Sequence, residues 1–365
     1  MSSWFYEADM SSFGELRSLL HKGPIAWNEI SLLLEKWTPD ESFHDTVIPY
    51  VRDHIAKWPE GFATPPGRWK RWLLHGYEVH PMVLFDTLDM SNRHMESKDL
   101  DTLAKLSCIK HTRVLNFESC NLYPFELTPF FEREVLPNVS VLRLNRNNLS
   151  GERGAELFRR TKIAGLHTLG LRMTGLDNRS IGALVNSPSV WTLQILKLSG
   201  NILDEHSRAL LFETDKMLSL RSIDLNQVGL TASNLGAMAR APWLTSLRWL
   251  SFEFTGAQHA SARALEKFLS SPALGNLECL VITNGWLDDR IARHIAAQPH
   301  LRKLKHLGFN AYPDLELAKK HPPASRPQVM AVGGCTVAGI EAIVESPHLS
   351  REVKEYWMLA LEGLE

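Results

Sequence analysis

Asp288, Asp289 and His294 stand close enough in the sequence to suggest acid–base chemistry, but they open the segment DDRIARHIAA. Its spacing predicts a helix, and acidic residues in a first turn suit the helix dipole without any catalytic role. The other histidines of the 15 are dispersed, and no GxxxxGKS/T, GxSxG, HExxH or GxGxxG pattern occurs. The four cysteines, Cys108, Cys120, Cys279 and Cys335, show no CxxC spacing and fit a reducing compartment better than a disulfide scaffold. One run, RWKRW at 68–72, could stack aromatic rings on bases and set cations against phosphates. An amphipathic helix with tryptophan inward and Arg or Lys outward explains it equally well, so nucleic acid is not the expected partner. Neither an enzyme, a metal site, a cofactor nor a small-molecule substrate is expected.

Composition narrows the rest. The chain has 365 residues, 44% of them apolar, and balances 40 Lys plus Arg against 41 Asp plus Glu. No net field steers it toward nucleic acid or an anionic membrane. The first residues, MSSWFYEADMSS, lack the basic and apolar regions of a signal peptide, and no apolar run reaches the length of a membrane span. Asn138, Asn148 and Asn178 open glycosylation sequons, which without secretion read as polar turns. A cytoplasmic protein is expected, with no membrane contact.

The elements that position any site come from a repeat. The pattern LxxLxLxxNxL begins at Phe85, Thr112, Val139, Leu166, Leu193, Leu220 and Leu247, each 27 residues after the last, and continues at Leu277, Leu304 and, weakly, Pro327. In each unit the LxL pair predicts a short strand with its leucines pointing into a core. The remainder carries helical spacing, as in RSIGALVNSPSV and SARALEKFLSSPAL, and Ser-Pro pairs at 187–188, 271–272 and 346–347 stop the helices. No unit buries its apolar face alone; stacking does so, with parallel strands about 4.8 Å apart on one side and helices on the other.

This pattern resembles the leucine-rich repeat family, and the period with its helical half resembles the ribonuclease-inhibitor-like branch, over roughly three quarters of the chain. The resemblance implies an α/β horseshoe-shaped solenoid of about ten strand-helix repeats with a parallel concave sheet, preceded by a small α-helical domain. It also implies that Asn147 and Asn201, with Cys120 and Cys335 at the equivalent place, hydrogen-bond the turn backbone after each strand. Thr174, Val228, Thr255, Gly285 and Tyr312 depart from that pattern. A thioester-forming ligase of the kind some bacterial relatives carry would need a cysteine outside the array, and residues 1–107 contain none. By pattern the chain divides into a Trp-rich helical cap at 1–84, repeats at 85–353 and a closing helix at 354–365.

Function then rests on the concave face. Its columns carry Asn116, Glu118, Arg143, Asn145, Arg146, Arg172, Lys197, Asp224, Asn226 and Glu253, with Trp249 and Phe254 adding aromatic surface of the type enriched at binding hot spots. Read together they give a basic centre, Arg143, Arg146, Arg172 and Lys197, flanked by Asp89 and Glu118 before it and Asp224 and Glu253 after it. Plain solvation of a polar face is the rival explanation. The expectation is a protein-binding scaffold whose partner presents an acidic patch. Two alternatives remain: regulation of an enzyme or small GTPase, and an adaptor that recruits a second component through its N-terminal helices.

Overall fold

The computed structural model describes residues 3–59, 62–133, 136–161, 165–255, 258–283, 287–309 and 335–361, and the side chains of these except 3–11, 254–261 and 360–361. Compactness groups the chain into two units, 1–147 with 160–166, and 148–159 with 167–365. Among the described residues nine parallel strands follow chain order, and the second residue of each, Leu or Ile, is buried. The proposed tenth repeat at Pro327 and the proline-rich stretch before it lie outside the described residues.

The first unit begins with helices α1 (Ser3–His21), α2 (Trp27–Glu35), α3 (Ile48–Ile55) and α4 (Gly67–Leu74). Trp27, Trp69, Leu34, Phe43 and Val51 are buried among them, and Trp27 meets Trp58 and Trp69 edge-to-face at 6.0 and 6.3 Å. Glu35 binds α2 to α4: its carboxylate accepts from Arg68 Nε at 2.7 Å and from the Trp69 indole. Within the RWKRW run Trp69 is wholly buried and Arg68 is paired with Glu35, while Arg71 is exposed and Lys70 and Trp72 are half-buried. Strands β1 (Thr87–Asp89), β2 (Val114–Asn116) and β3 (Val141–Arg143) follow, with α5 (Ser97–Leu103) and α6 (Pro124–Glu132) between them. The outer edge of β1 is not bare: Thr87 N donates to Ala63 O at 3.4 Å.

The second unit carries β4 (Thr168–Gly170), β5 (Ile195–Lys197), β6 (Ser222–Thr231), β7 (Trp249–Thr255), β8 (Cys279–Thr283) and β9 (His306–Gly308). Its helices are α7 (Gly151–Arg160), α8 (Asn178–Asn186), α9 (Glu205–Glu213), α10 (Ala232–Met238), α11 (Gln258–Leu269), α12 (Asp289–Ala296), α13 (Val337–Glu345) and α14 (Arg351–Leu361). Asp177, Asp204 and Asp288 begin α8, α9 and α12 by accepting from the backbone N–H three residues on, at 2.9, 2.7 and 2.8 Å. Trp357 of α14 is buried and donates its indole N–H to Leu307 O of β9 at 3.2 Å.

Turns after the strands are built by one side chain per repeat. Asn147 Oδ1 accepts from Cys120 N and Leu122 N at 3.2 and 2.9 Å, and its amide donates to Phe117 O and Leu144 O at 2.7 and 2.9 Å. Asn201 does the same for Thr174 N and Leu176 N at 3.0 and 3.1 Å, and for Leu171 O and Leu198 O, both at 2.7 Å. Cys120, at the equivalent place, turns its thiol to Met90 O at 3.1 Å, as the resemblance implies. The residue before this position is left-handed in six successive repeats, Asn92, Ser119, Arg146, Met173, Gly200 and Gln227, with φ from 53° to 75°. Five of these six are not glycine; at Gly200 a Cβ would lie 2.6 Å from Met173 Cγ, so a side chain there would make the exposed Met173 side chain shift.

Where the asparagine is replaced by Val228, Gln227 before it keeps the left-handed φ and Val228 O still accepts from Leu203 N at 3.1 Å. Here β6 runs on for ten residues, pairing with β7 beyond a shift between Leu225 and Leu230.

Candidate functional site: the sheet face away from the helices

Each strand offers two outward residues, at its first and third positions, because the central one points into the core. The third position gives the expected polar column. In the first unit it holds Asp89, Asn116 and Arg143, in register across β1, β2 and β3. Asn116 Nδ2 donates to Asp89 Oδ1 at 3.0 Å, and Asn145 Nδ2 to Glu118 Oε2 at 3.0 Å. Arg146 Nε lies 3.9 Å from the other Glu118 oxygen. Arg143 is half-buried on the strand and Arg146 is exposed in the turn, whereas Asn145 is only 6% exposed and serves the local network.

In the second unit the column runs Gly170, Lys197, Asp224, Ser251, Val281 and Gly308. Arg172 does not face open solvent: its guanidinium binds one oxygen of Asp224 through Nε at 3.1 Å and Nη2 at 2.7 Å, reaching a residue two repeats away. Asp224 is 4% exposed, and its other oxygen accepts from Asn226 N and Nδ2 at 3.2 and 2.7 Å. Asn226 Nδ2 also reaches Ser251 Oγ at 2.6 Å, and Asn226 Oδ1 accepts from Thr283 Oγ1 at 2.6 Å. A hydrogen-bonded chain therefore crosses the sheet from β4 to β8. The expected basic centre is thinner than the sequence suggests, since Arg172 and Asp224 neutralise each other. Lys197, in register between Gly170 and Asp224, is a half-buried cation on this part of the face.

Glu253 is half-buried opposite Thr283. Trp249 begins β7 and is 7% exposed, enclosed beside Cys279 rather than spread as open aromatic surface. The side chain of Phe254 lies outside those described. A second column escaped sequence reading: the first strand positions, Thr87, Val114 and Val141 in one unit and Thr168, Ile195, Ser222, Trp249, Cys279 and His306 in the other. This column mixes apolar and polar residues, and Thr87, Val114, Val141, Ser222 and Trp249 in it are buried.

Burial pushes the thiol pKa values up, to about 11 for Cys120 and about 12 for Cys279, and Cys108 is raised as well. Cys335 rises to about 12 by burial and by the Asp289 carboxylate beside it. Thiols held protonated are poor nucleophiles. Asp288, Asp289 and His294 do not converge: the first caps α12, the second accepts from Thr336 N and Oγ1, both at 2.7 Å, and His294 meets Ser270 Oγ at 2.9 Å. Among the described residues no group of three His, Cys, Asp or Glu could hold a metal ion, and no helix is long and apolar enough to cross a membrane.

No protein-family model and no curated protein matches this chain. Among solved structures it is similar to the leucine-rich repeat-containing protein LegL7 of Legionella pneumophila, at 15% identity over 77% of this chain and 92% of that one, with a TM-score of 0.47. A chain of the yeast Rad7 and Elc1 complex is similar at 16% identity over 96% and 86%, TM-score 0.44. An internalin (inlF) of Listeria monocytogenes is similar at 13% identity over 87% and 96%, TM-score 0.34.

Proposed function

We propose that this leucine-rich-repeat protein is a non-catalytic scaffold whose helix-free sheet face binds another protein. The observation that carries the reading is the row of polar residues that successive strands present in register on that face, Asp89, Asn116 and Arg143 in one unit and Lys197 and Asp224 in the other. The polar column is held by its own hydrogen bonds, from Asn116 to Asp89 and from Arg172 through Asp224 to Thr283, so little side-chain freedom is lost on docking. Arg143 and Lys197 are the cations best placed to meet an acidic patch on the partner, each at the third position of its strand.

Affinity capture from lysate of the source cells, followed by calorimetry with the purified partner, tests this. Arg143→Glu and Lys197→Glu are each expected to weaken binding about tenfold, the equivalent of about 1.4 kcal/mol, while circular dichroism stays unchanged. Arg172 is a poor choice for reversal, because a glutamate there would face the buried Asp224 carboxylate. Unchanged affinity in both variants would remove the acidic-patch reading. A changed turnover of a captured enzyme or GTPase would turn the scaffold into a regulator.

A further inference from the structure

An open groove of about 570 Å³ lies on the helical side of the second unit, away from the sheet face. Its walls come from α8 and α9, with Arg159 of α7 at one end. Arg159, Arg179 and His206 line it, and no carboxylate does. Glu152 sits beside the groove between the two arginines, 2.6 Å from Arg159 Nη2 and 3.6 Å from Arg179 Nη1, and so holds both guanidiniums in place. Asp177, which begins α8, is occupied by the backbone N–H groups of Ser180 and Gly151. A further cation stands at the Asn186 end, where Lys216 Nζ donates to Asn186 Oδ1 at 2.9 Å. The floor is kept low by Gly182, whose absent side chain leaves the space in front of Leu210 open. Glycine inside a helix costs about 1 kcal/mol relative to alanine. The fold accepts that cost at a place where a side chain would fill the groove.

We propose that this groove receives an acidic peptide segment of a partner protein, a second docking surface separate from the sheet face. Charge complementarity selects the occupant: the lining carries Arg159, Arg179 and His206 and no carboxylate, in a chain whose overall charge is nearly balanced. Openness selects the form, since a small molecule is ordinarily enclosed over most of its surface, while a trough between two helices suits an extended chain.

Fluorescence anisotropy on the full chain, with a fluorescein-labelled peptide of alternating glutamate and alanine as probe, decides the matter. Saturable binding is expected, with none to the matching glutamine–alanine peptide. Arg159→Glu combined with Arg179→Glu should weaken it roughly tenfold or more. Gly182→Leu should do so without touching a charge; a Cβ at this position meets Leu210 Cδ1 at an ordinary 3.5 Å, so the helix backbone need not move. Lys197→Glu, on the sheet face, should leave binding unchanged, which separates this groove from the surface proposed above. Four outcomes would overturn the proposal: no saturable binding, equal binding of the glutamine peptide, full binding by the groove variants, or equal weakening by Lys197→Glu. Tighter binding of a single-stranded oligonucleotide than of the peptide would overturn it as well, by reassigning the groove to nucleic acid.

Discussion

Asn201 shows how much one side chain per repeat can carry. It is wholly buried and satisfies two N–H groups and two carbonyls that belong to turns of adjacent repeats. Leucine in its place would fill the space and leave those groups without partners, at about 1–3 kcal/mol for an orphaned buried group. We expect Asn201→Leu to lower the unfolding free energy by roughly 3 kcal/mol in urea titrations. Alanine at an exposed turn asparagine such as Asn148 should cost under about 0.5 kcal/mol. His306 makes a different point. It is half-buried at the start of β9, its ring 5.1 Å from Tyr356, and burial holds its pKa down to about 4. The unfolded chain takes up this proton near pH 6.5, the folded chain only near pH 4. The contribution is therefore complete above pH 6.5 and lost as the pH falls toward 4, amounting to roughly 2 kcal/mol. His306→Phe should flatten that part of the stability–pH profile; an unchanged slope would assign it to other groups.

At the scale of elements, the repeat period fixed strand positions well because its leucines report directly on the core. Leu88, Leu115, Leu142, Leu169 and Leu196 all sit at the centres of strands, where the pattern puts them. The Ser-Pro pairs likewise mark helix ends, α8 stopping at Asn186 and α13 at Glu345. What the pattern hides is what depends on neighbouring repeats. The long β6 pairs with β7 on both sides of a register shift, and the Arg172–Asp224 pair spans residues 52 apart, beyond any local reading. Side-chain type suggested that Arg172 would be an open cation and Trp249 an open ring; packing made one a tether and enclosed the other. Helix starts were more legible, and they are testable. Asp177 caps α8 and also accepts from Gly151 N at 3.1 Å, the residue that opens α7. Asp177→Ala is expected to cost about 1–2 kcal/mol, toward the upper end for a cap because two helix starts lose an acceptor. The cap's hydrogen bonds hold its carboxyl below the usual range despite the opposing effect of partial burial. This part of the stability is thus kept at neutral pH and lost in acid as the carboxylate is protonated.

For the molecule as a whole, a net charge of −1 means that attraction to a partner must come from local patches rather than a global field. The deficit of the Lys197→Glu variant in partner binding should therefore shrink as salt rises from about 0.05 to about 1 M, where the screening length falls to roughly 3 Å. A deficit independent of salt would point to lost packing instead. The asparagine ladder has a further consequence, because it has a direction. Asn147 completes the turn of the strand 27 residues earlier, and Asn201 does so for Thr174, also 27 residues earlier. The two N–H groups that each of these asparagines accepts from thus belong to the turn of the preceding repeat, which its own residues leave unfinished. On the ribosome, a repeat that has already left the exit tunnel must wait for its successor before its backbone is satisfied. Structure should then advance in steps of one repeat behind synthesis, and a pause in translation would leave the most recent turn exposed to chaperones.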